Sequence, residues 1–157
     1  MKYYIAYGSN LSVSQMNYRC PNAVYVGTSE LEDMQLLFRG SKTGSYLTIE
    51  KKAGSKVPVL VWQVSDADEW SLDMYEGYPD FYRKENLEIT VHSLLDGKAI
   101  GNVNAFVYIM DCRRPLGAPT QHYLDVCSEG YARFGFDLNI LETALRQSQN
   151  PLIRKIK

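Results

Sequence analysis

The sequence has little of what metal and disulfide chemistry needs. Among its 157 residues there are three cysteines and two histidines. Cys20, Cys112 and Cys127 are odd in number and lack Cys-x-x-Cys spacing, which argues for a reducing compartment and against a disulfide framework or a structural zinc. His92 and His122 form no His-Glu-x-x-His pattern and no paired ligand set, so no metal site is expected. Long apolar runs are missing too, and with them any helical span of a bilayer. The run after Met1 and Lys2 is too short for a signal peptide, and the expected location is the cytoplasm. A surplus of one charge is also absent. Seventeen basic side chains against eighteen acidic ones give a net charge of −1, with no basic stripe for nucleic acid and no polybasic tract for a membrane. No repeat, linker or low-complexity segment stands out.

What is present is ordinary except for tyrosine. A chain of this length fits one domain, expected over residues 1–150 with 151–157 as a tail, and buries roughly two-thirds of its unfolded surface. Twelve tyrosines are many, and each combines a ring that packs with a hydroxyl that needs a partner, so they suit a polar pocket as well as a core edge.

Local patterns predict a first strand over Lys2–Tyr7, halted at Gly8. Ser12 and Gln15 have capping-box spacing, so a short helix should follow and end before Pro21. Alternation over Ala23–Arg39 predicts one long bent strand or two. Tyr46–Glu50 and Val57–Val64 are expected to pair as a hairpin across Gly54-Ser55. Ser65 and Asp68 open a helix that runs to about Glu76, with Leu72 and Glu76 four residues apart on one face and Gly77 and Pro79 closing it. Tyr82–Val91 and Ile100–Met110 form a second strand pair around Asp96-Gly97. After a Pro115–Pro119 loop the chain turns helical: Tyr123 to Tyr131, a break at Gly135, and a last amphipathic helix of Leu138, Leu141 and Leu145 capped by Asp137. Many strand pairings and few βαβ units predict an α+β domain on a curved, largely closed sheet. Periodicity alone does not establish a barrel.

Two segments can carry chemistry. Tyr7-Gly8-Ser9-Asn10-Leu11 leaves a strand for a helix start; Gly, Ser and Asn there permit positive φ and expose successive N–H groups, a nest for a carboxylate or an oxyanion. A plain β-to-α turn uses the same residues. Ser9 is in no Gly-x-Ser-x-Gly elbow, which argues against a serine triad. The second segment is Leu72 to Tyr82. Glu76 ends a helix, where the negative end of the dipole opposes a carboxylate, among Tyr75, Tyr78, Phe81 and Tyr82. Desolvation and the dipole would raise its pKa toward that of a general base working near neutrality. A surface glutamate at a frayed helix end is the competing reading.

With these segments in hand, the chain resembles the γ-glutamylcyclotransferase family, most closely small bacterial members related to γ-glutamylamine cyclotransferases. The likeness rests on Tyr7-Gly8-Ser9-Asn10-Leu11 and Leu72-Asp73-x-x-Glu76-Gly77-x-Pro79-x-x-Tyr82. It continues with Val107-Tyr108-Ile109-Met110, Pro119, Tyr123 and Gly130-Tyr131, and covers about residues 3 to 147. It implies an α+β fold, a small mixed β-barrel of five to six strands flanked by helices. It implies an enzyme that closes a γ-glutamyl amino acid or amine on its own nitrogen, releasing 5-oxoproline. Glu76 would be the acid/base. Tyr7, Gly8, Ser9, Asn10 and Leu11 would hold the glutamyl half, and Tyr82, Tyr108 and Tyr123 would line the pocket. The chain departs from the family pattern at Val57-Pro58-Val59 and at Pro119-Thr120. Pro58 predicts an edge strand or bulge. The implied partner is a small molecule bound by a monomer or homodimer, and the chemistry needs neither metal nor other cofactor. Walls for the leaving group are expected from Tyr78–Tyr82 and from Pro115–Pro119, with Arg113 and Arg114 nearby, and an amino-acid or amine leaving group is favoured over glutathione. The alternatives are a non-catalytic binder of γ-glutamyl or 5-oxoproline ligands and a biosynthetic deprotecting cyclotransferase.

Overall fold

The computed structural model describes residues 1–41 and 44–149, so the expected tail at 151–157 lies outside the described residues. The elements run β1 (Lys2–Ala6), a 3-10 turn (Ser9–Leu11), α1 (Val13–Arg19), β2 (Val24–Ser41) and β3 (Gly44–Val64). They continue with α2 (Asp66–Glu76), β4 (Tyr82–His92), β5 (Ala99–Met110), α3 (Gln121–Arg133) and α4 (Leu138–Gln149). Five strands close into a barrel in the order β1-β3-β2-β4-β5. The β1–β5 pair is parallel and the others are antiparallel, so the sheet is mixed. Among the described residues no helix is long and apolar enough to cross a membrane.

The β2–β3 pair forms the body of the barrel and corrects one expectation. Tyr46–Glu50 and Val57–Val64 do not pair with each other; both lie in β3 and face β2, from Arg39↔Tyr46 to Val24↔Gln63. Lys51 pairs with Met34 and Lys56 with Glu32, so residues 52–55 bulge opposite Asp33. Gly54, at φ 83°, donates its N–H to Asp33 Oδ1 at 2.9 Å. The turn signal was therefore answered by a bulge within a strand, because each apolar run found a longer partner in β2 than in the other. Ala23–Arg39 resolves as one strand, bent by register shifts at Tyr25/Gly27 and Glu32/Met34. The barrel shuts between β2 and β4 at Thr28↔His92. A Cβ on Gly27 would collide there with the His92 carbonyl oxygen and lie 2.7 Å from Val91 Cγ1, so closure needs a glycine. Pro58 pairs with Glu30, and β1 reaches only to Leu60 on the other side. Its missing N–H thus falls where β3 has a single neighbour.

Val57–Trp62 and Ala105–Met110 are buried at successive residues, which means that both faces of these strands are covered. Trp62, Phe38, Ile5, Leu47, Leu60 and Leu72 fill the centre. The α2 helix opens with a complete capping box, Ser65 Oγ accepting from Asp68 N and Asp68 Oδ2 from Ser65 N. It closes on Gly77 at φ 63°. Ser12 caps α1 and accepts from Gln15 N at 3.2 Å, but the Gln15 side chain does not return to the cap; it reaches Asn10. Thr120 caps α3, and Asp137 Oδ1 accepts from Asn139 N at the start of α4.

Candidate active site

The 3-10 turn after β1, the end of α2 and the start of α3 converge on one cavity of about 640 Å³. Tyr7, Gly8, Ser9, Asn10, Glu76, Tyr82, Tyr108 and Tyr123 all line it. Leu11 does not. Its side chain is fully buried, and a Cβ on Gly130 of α3 would lie 2.5 Å from Leu11 Cβ. Its N–H is occupied as well, donating to Gly8 O at 3.1 Å, while Ser12 N donates to Ser9 O at 3.0 Å. Those two bonds close the turn, and the N–H groups of Gly8, Ser9 and Asn10 take no part in them. The expected positive φ is also corrected. Gly8 sits at φ −129°, and what it provides is room: a Cβ would come 3.1 Å from the Tyr123 hydroxyl oxygen.

Glu76 is the last residue of α2 and is only partly exposed, on the cavity side. Burial pushes its carboxyl up to about 7, against the pull of the Arg19 guanidinium. It is therefore no frayed surface residue. Asn10 Nδ2 lies 3.5 Å from Glu76 Oε1 and donates to Tyr4 Oη at 2.9 Å.

Of the expected pocket tyrosines Tyr7, Tyr82, Tyr108 and Tyr123, three donate their hydroxyls to protein acceptors. Tyr7 donates to the Tyr108 carbonyl at 2.6 Å, Tyr82 to the Leu47 carbonyl at 2.8 Å, and Tyr108 to Asp73 Oδ1 at 2.6 Å. Tyr123 Oη accepts from Leu47 N at 3.1 Å. Burial raises all four above the ordinary phenol range, so they face the cavity as neutral groups. They shape the wall more than they supply donors. Tyr75 and Tyr78, which could have been core packing, are instead half exposed, the first under the Arg19 guanidinium and the second under Lys84 Nζ, each 4.2 Å from its ring centroid.

Sequence reasoning missed Tyr4, Gln15, Arg19, Tyr46 and His122, which also line the cavity. Gln15 and Arg19 were discoverable: they are four apart on α1, one turn after the turn that carries Asn10. The expected walls need revision. Phe81 and Tyr82 contribute, but the Pro115–Pro119 loop does not, because Leu116 bridges to Arg39 and Gly117 N donates to Phe38 O at 3.1 Å. Arg114 stacks on Phe81 behind the wall, and the cation that lines the cavity is Arg19. Thr120, one of the departures from the family pattern, lines the cavity while capping α3.

Comparison with known proteins follows the same lines. The family model for "Gamma-glutamyl cyclotransferase, AIG2-like" matches residues 4–129. The chain is 35% identical over 104 residues to the gamma-glutamylcyclotransferase of Bos taurus, covering 62% of this chain and 54% of that protein. It is 36% identical over 81 residues to that of Homo sapiens, covering 47% and 43%. The chain thus spans about half the length of the curated relatives it matches. A solved structure titled gamma-glutamyl cyclotransferase superposes with a TM-score of 0.76 at 25% identity, covering 91% of this chain and 85% of the other. Motif order, barrel and family model coincide, and the chain belongs to the gamma-glutamyl cyclotransferase, AIG2-like family.

Proposed function

We propose that the protein is a γ-glutamyl cyclotransferase, with Glu76 as its acid/base and a γ-glutamyl amino acid or amine as its substrate. The observation that carries this reading is the Glu76 carboxyl, raised to about 7 by burial at the wall of a cavity that also exposes the Gly8–Asn10 turn. A carboxylate with that proton affinity can take a proton from the substrate's α-ammonium and return it within one turnover. The freed amine attacks the γ-carbonyl carbon, and a C–N bond forms as the carbonyl π electrons move onto oxygen. N–H groups of the Gly8–Asn10 turn are suited to that oxyanion or to the α-carboxylate. The oxyanion then collapses, the original amide C–N bond breaks, and Glu76 protonates the departing nitrogen. The ring nitrogen still carries a second proton, which passes to the released amine directly or through solvent. The products are therefore 5-oxoproline and an ammonium ion of the leaving amine, with atoms and charge balanced. Ring closure within one molecule carries an effective molarity on the order of 10⁵ M or more once the chain is folded back, so positioning and one proton carrier are sufficient. The same reading takes the chain as a single domain acting in the cytoplasm as a monomer or homodimer.

The test is 5-oxoproline release from γ-glutamyl-alanine, a γ-glutamyl alkylamine and glutathione. Turnover of the first two is expected to exceed that of glutathione, and Glu76→Gln should lower kcat by about 10² or more while substrate still binds. No product from any substrate would replace the enzyme with a binding protein.

A further inference from the structure

Asn10 is the most heavily bonded polar side chain at the cavity, and its bonds point in one direction. Its Oδ1 accepts from Gln15 Nε2 at 3.1 Å and from Arg19 Nη1 at 3.0 Å, and its backbone carbonyl accepts from Trp62 Nε1 at 3.0 Å. A guanidinium cannot accept a hydrogen bond, so the amide oxygen must face Arg19 and the amide nitrogen must face the other way. That nitrogen meets Tyr4 Oη and Glu76 Oε1. Asn10 is 3% exposed, leaving the side chain no room to swing out. Among the described residues Glu76 Oε2 has no hydrogen-bond partner. The two carboxylate oxygens are therefore unequal.

We propose that Gln15 and Arg19 are positioning residues that act through the Asn10 side chain, whose amide nitrogen engages Oε1 of Glu76 and leaves Oε2 as the oxygen that carries the proton. Gln15 and Arg19 are one helical turn apart on α1, so a single face of that helix sets the amide orientation. Arg19 is braced from the other side by the Tyr75 ring, 4.2 Å from its guanidinium carbon. The proposal rests on the acid/base reading of Glu76 and adds how that carboxylate is oriented. The groups facing Glu76 are Arg19 from α1, Tyr4 and Tyr7 at β1, Tyr82 from β4, Tyr108 from β5 and Tyr123 from α3. His122 of α3 lines the same cavity. The tyrosines are neutral at working pH, which leaves Arg19 as the charged group that favours ionised Glu76.

The experiment compares wild type, Arg19→Met, Arg19→Lys and Gln15→Leu, each checked for folding by circular dichroism and a thermal melt. Arg19→Met should lower kcat at least about tenfold with KM within about threefold, because orientation at the reacting centre is lost and not substrate affinity. The acid limb of its kcat–pH profile should move up by about one unit, since an opposing positive charge has been removed from beside a carboxylate. Arg19→Lys should restore part of both effects, and Gln15→Leu should move the limb the same way by less. A ¹³C NMR titration of the Glu76 carboxyl reads the shift without any turnover, so it tests the relay even if no γ-glutamyl substrate is cyclised. An unmoved NMR midpoint in Arg19→Met overturns the proposal, whatever happens to kcat. So does a rise in KM alone, which would make Arg19 a contact for a substrate carboxylate.

Discussion

At Gly8 a Cβ would sit 3.1 Å from the Tyr123 hydroxyl and 3.5 Å from Leu47 Cδ1, so the glycine is a matter of space at the cavity wall. A β-branched side chain adds two further heavy atoms beyond that point. Gly8→Val should therefore push Tyr123 off Leu47 N and lower the catalytic efficiency, kcat/KM, by about 10² or more, as small misplacements at a reacting centre do. Ser9→Ala removes a hydroxyl and leaves the backbone N–H in place, and its catalytic efficiency should stay within about threefold of wild type. Both are read from the rate at which the γ-glutamyl substrate is cyclised. Equal tolerance of both substitutions would assign the segment to a plain turn with no part in binding. The choice of residues here was legible from the sequence, whereas the reason was not. Positive φ is a local property that a Gly-Ser-Asn string predicts; the approach of Tyr123 comes from α3, at the far end of the chain.

At the scale of the element, α2 is the best-specified piece of the chain. Ser65 and Asp68 cap each other, Leu72 is fully buried, and Gly77 takes the left-handed conformation that ends the helix below Glu76. All of this is i to i+3 or i+4 chemistry, which is why the sequence predicted the bounds closely. Ser65→Ala should reduce unfolding free energy by about 1 kcal/mol, measured by urea denaturation, because the hydroxyl that accepts from Asp68 N is lost while the residue-65 N–H still donates to Asp68 Oδ2. Since the C-terminal end is anchored separately by Leu72 and Gly77, kcat should change little; a large loss of kcat would mean that α2 moves as a rigid lever. The β2–β3 pair shows the opposite case. Gly54-Ser55 carried a clear turn signal, yet partner choice between strands is non-local, and β2 outcompeted the short hairpin. The β1–β5 parallel pair, which the closed ring also requires, had no local signal at all.

At the scale of the molecule, a buried carboxylate sets stability against activity. The folded Glu76 carboxyl is raised to about 7, above its unfolded value of about 4.3. The fold therefore prefers it protonated. Its contribution to stability is complete below the unfolded value and is lost as pH rises through about 7. Glu76→Gln should stabilise the protein at pH 8 by on the order of 1–3 kcal/mol, discounted for the partial exposure of the group, and by much less near pH 5. Thermal melts of both proteins at the two pH values measure this, and an identical difference at both would show that the carboxyl is not perturbed by folding. The sequence by itself determined the helices and their caps, the α+β class, the two segments that meet at the cavity and Glu76 as the carboxylate of interest. Each of these depends on neighbours within a few positions or on an ordered set of short motifs. Only the tertiary structure decided which strands pair, that Leu11 turns into the core, that the Pro115–Pro119 loop stays off the cavity, and that Arg19 and Gln15 hold the Asn10 amide toward Glu76. Those outcomes depend on distances between residues far apart in the chain, and a barrel must close before any of those distances exists.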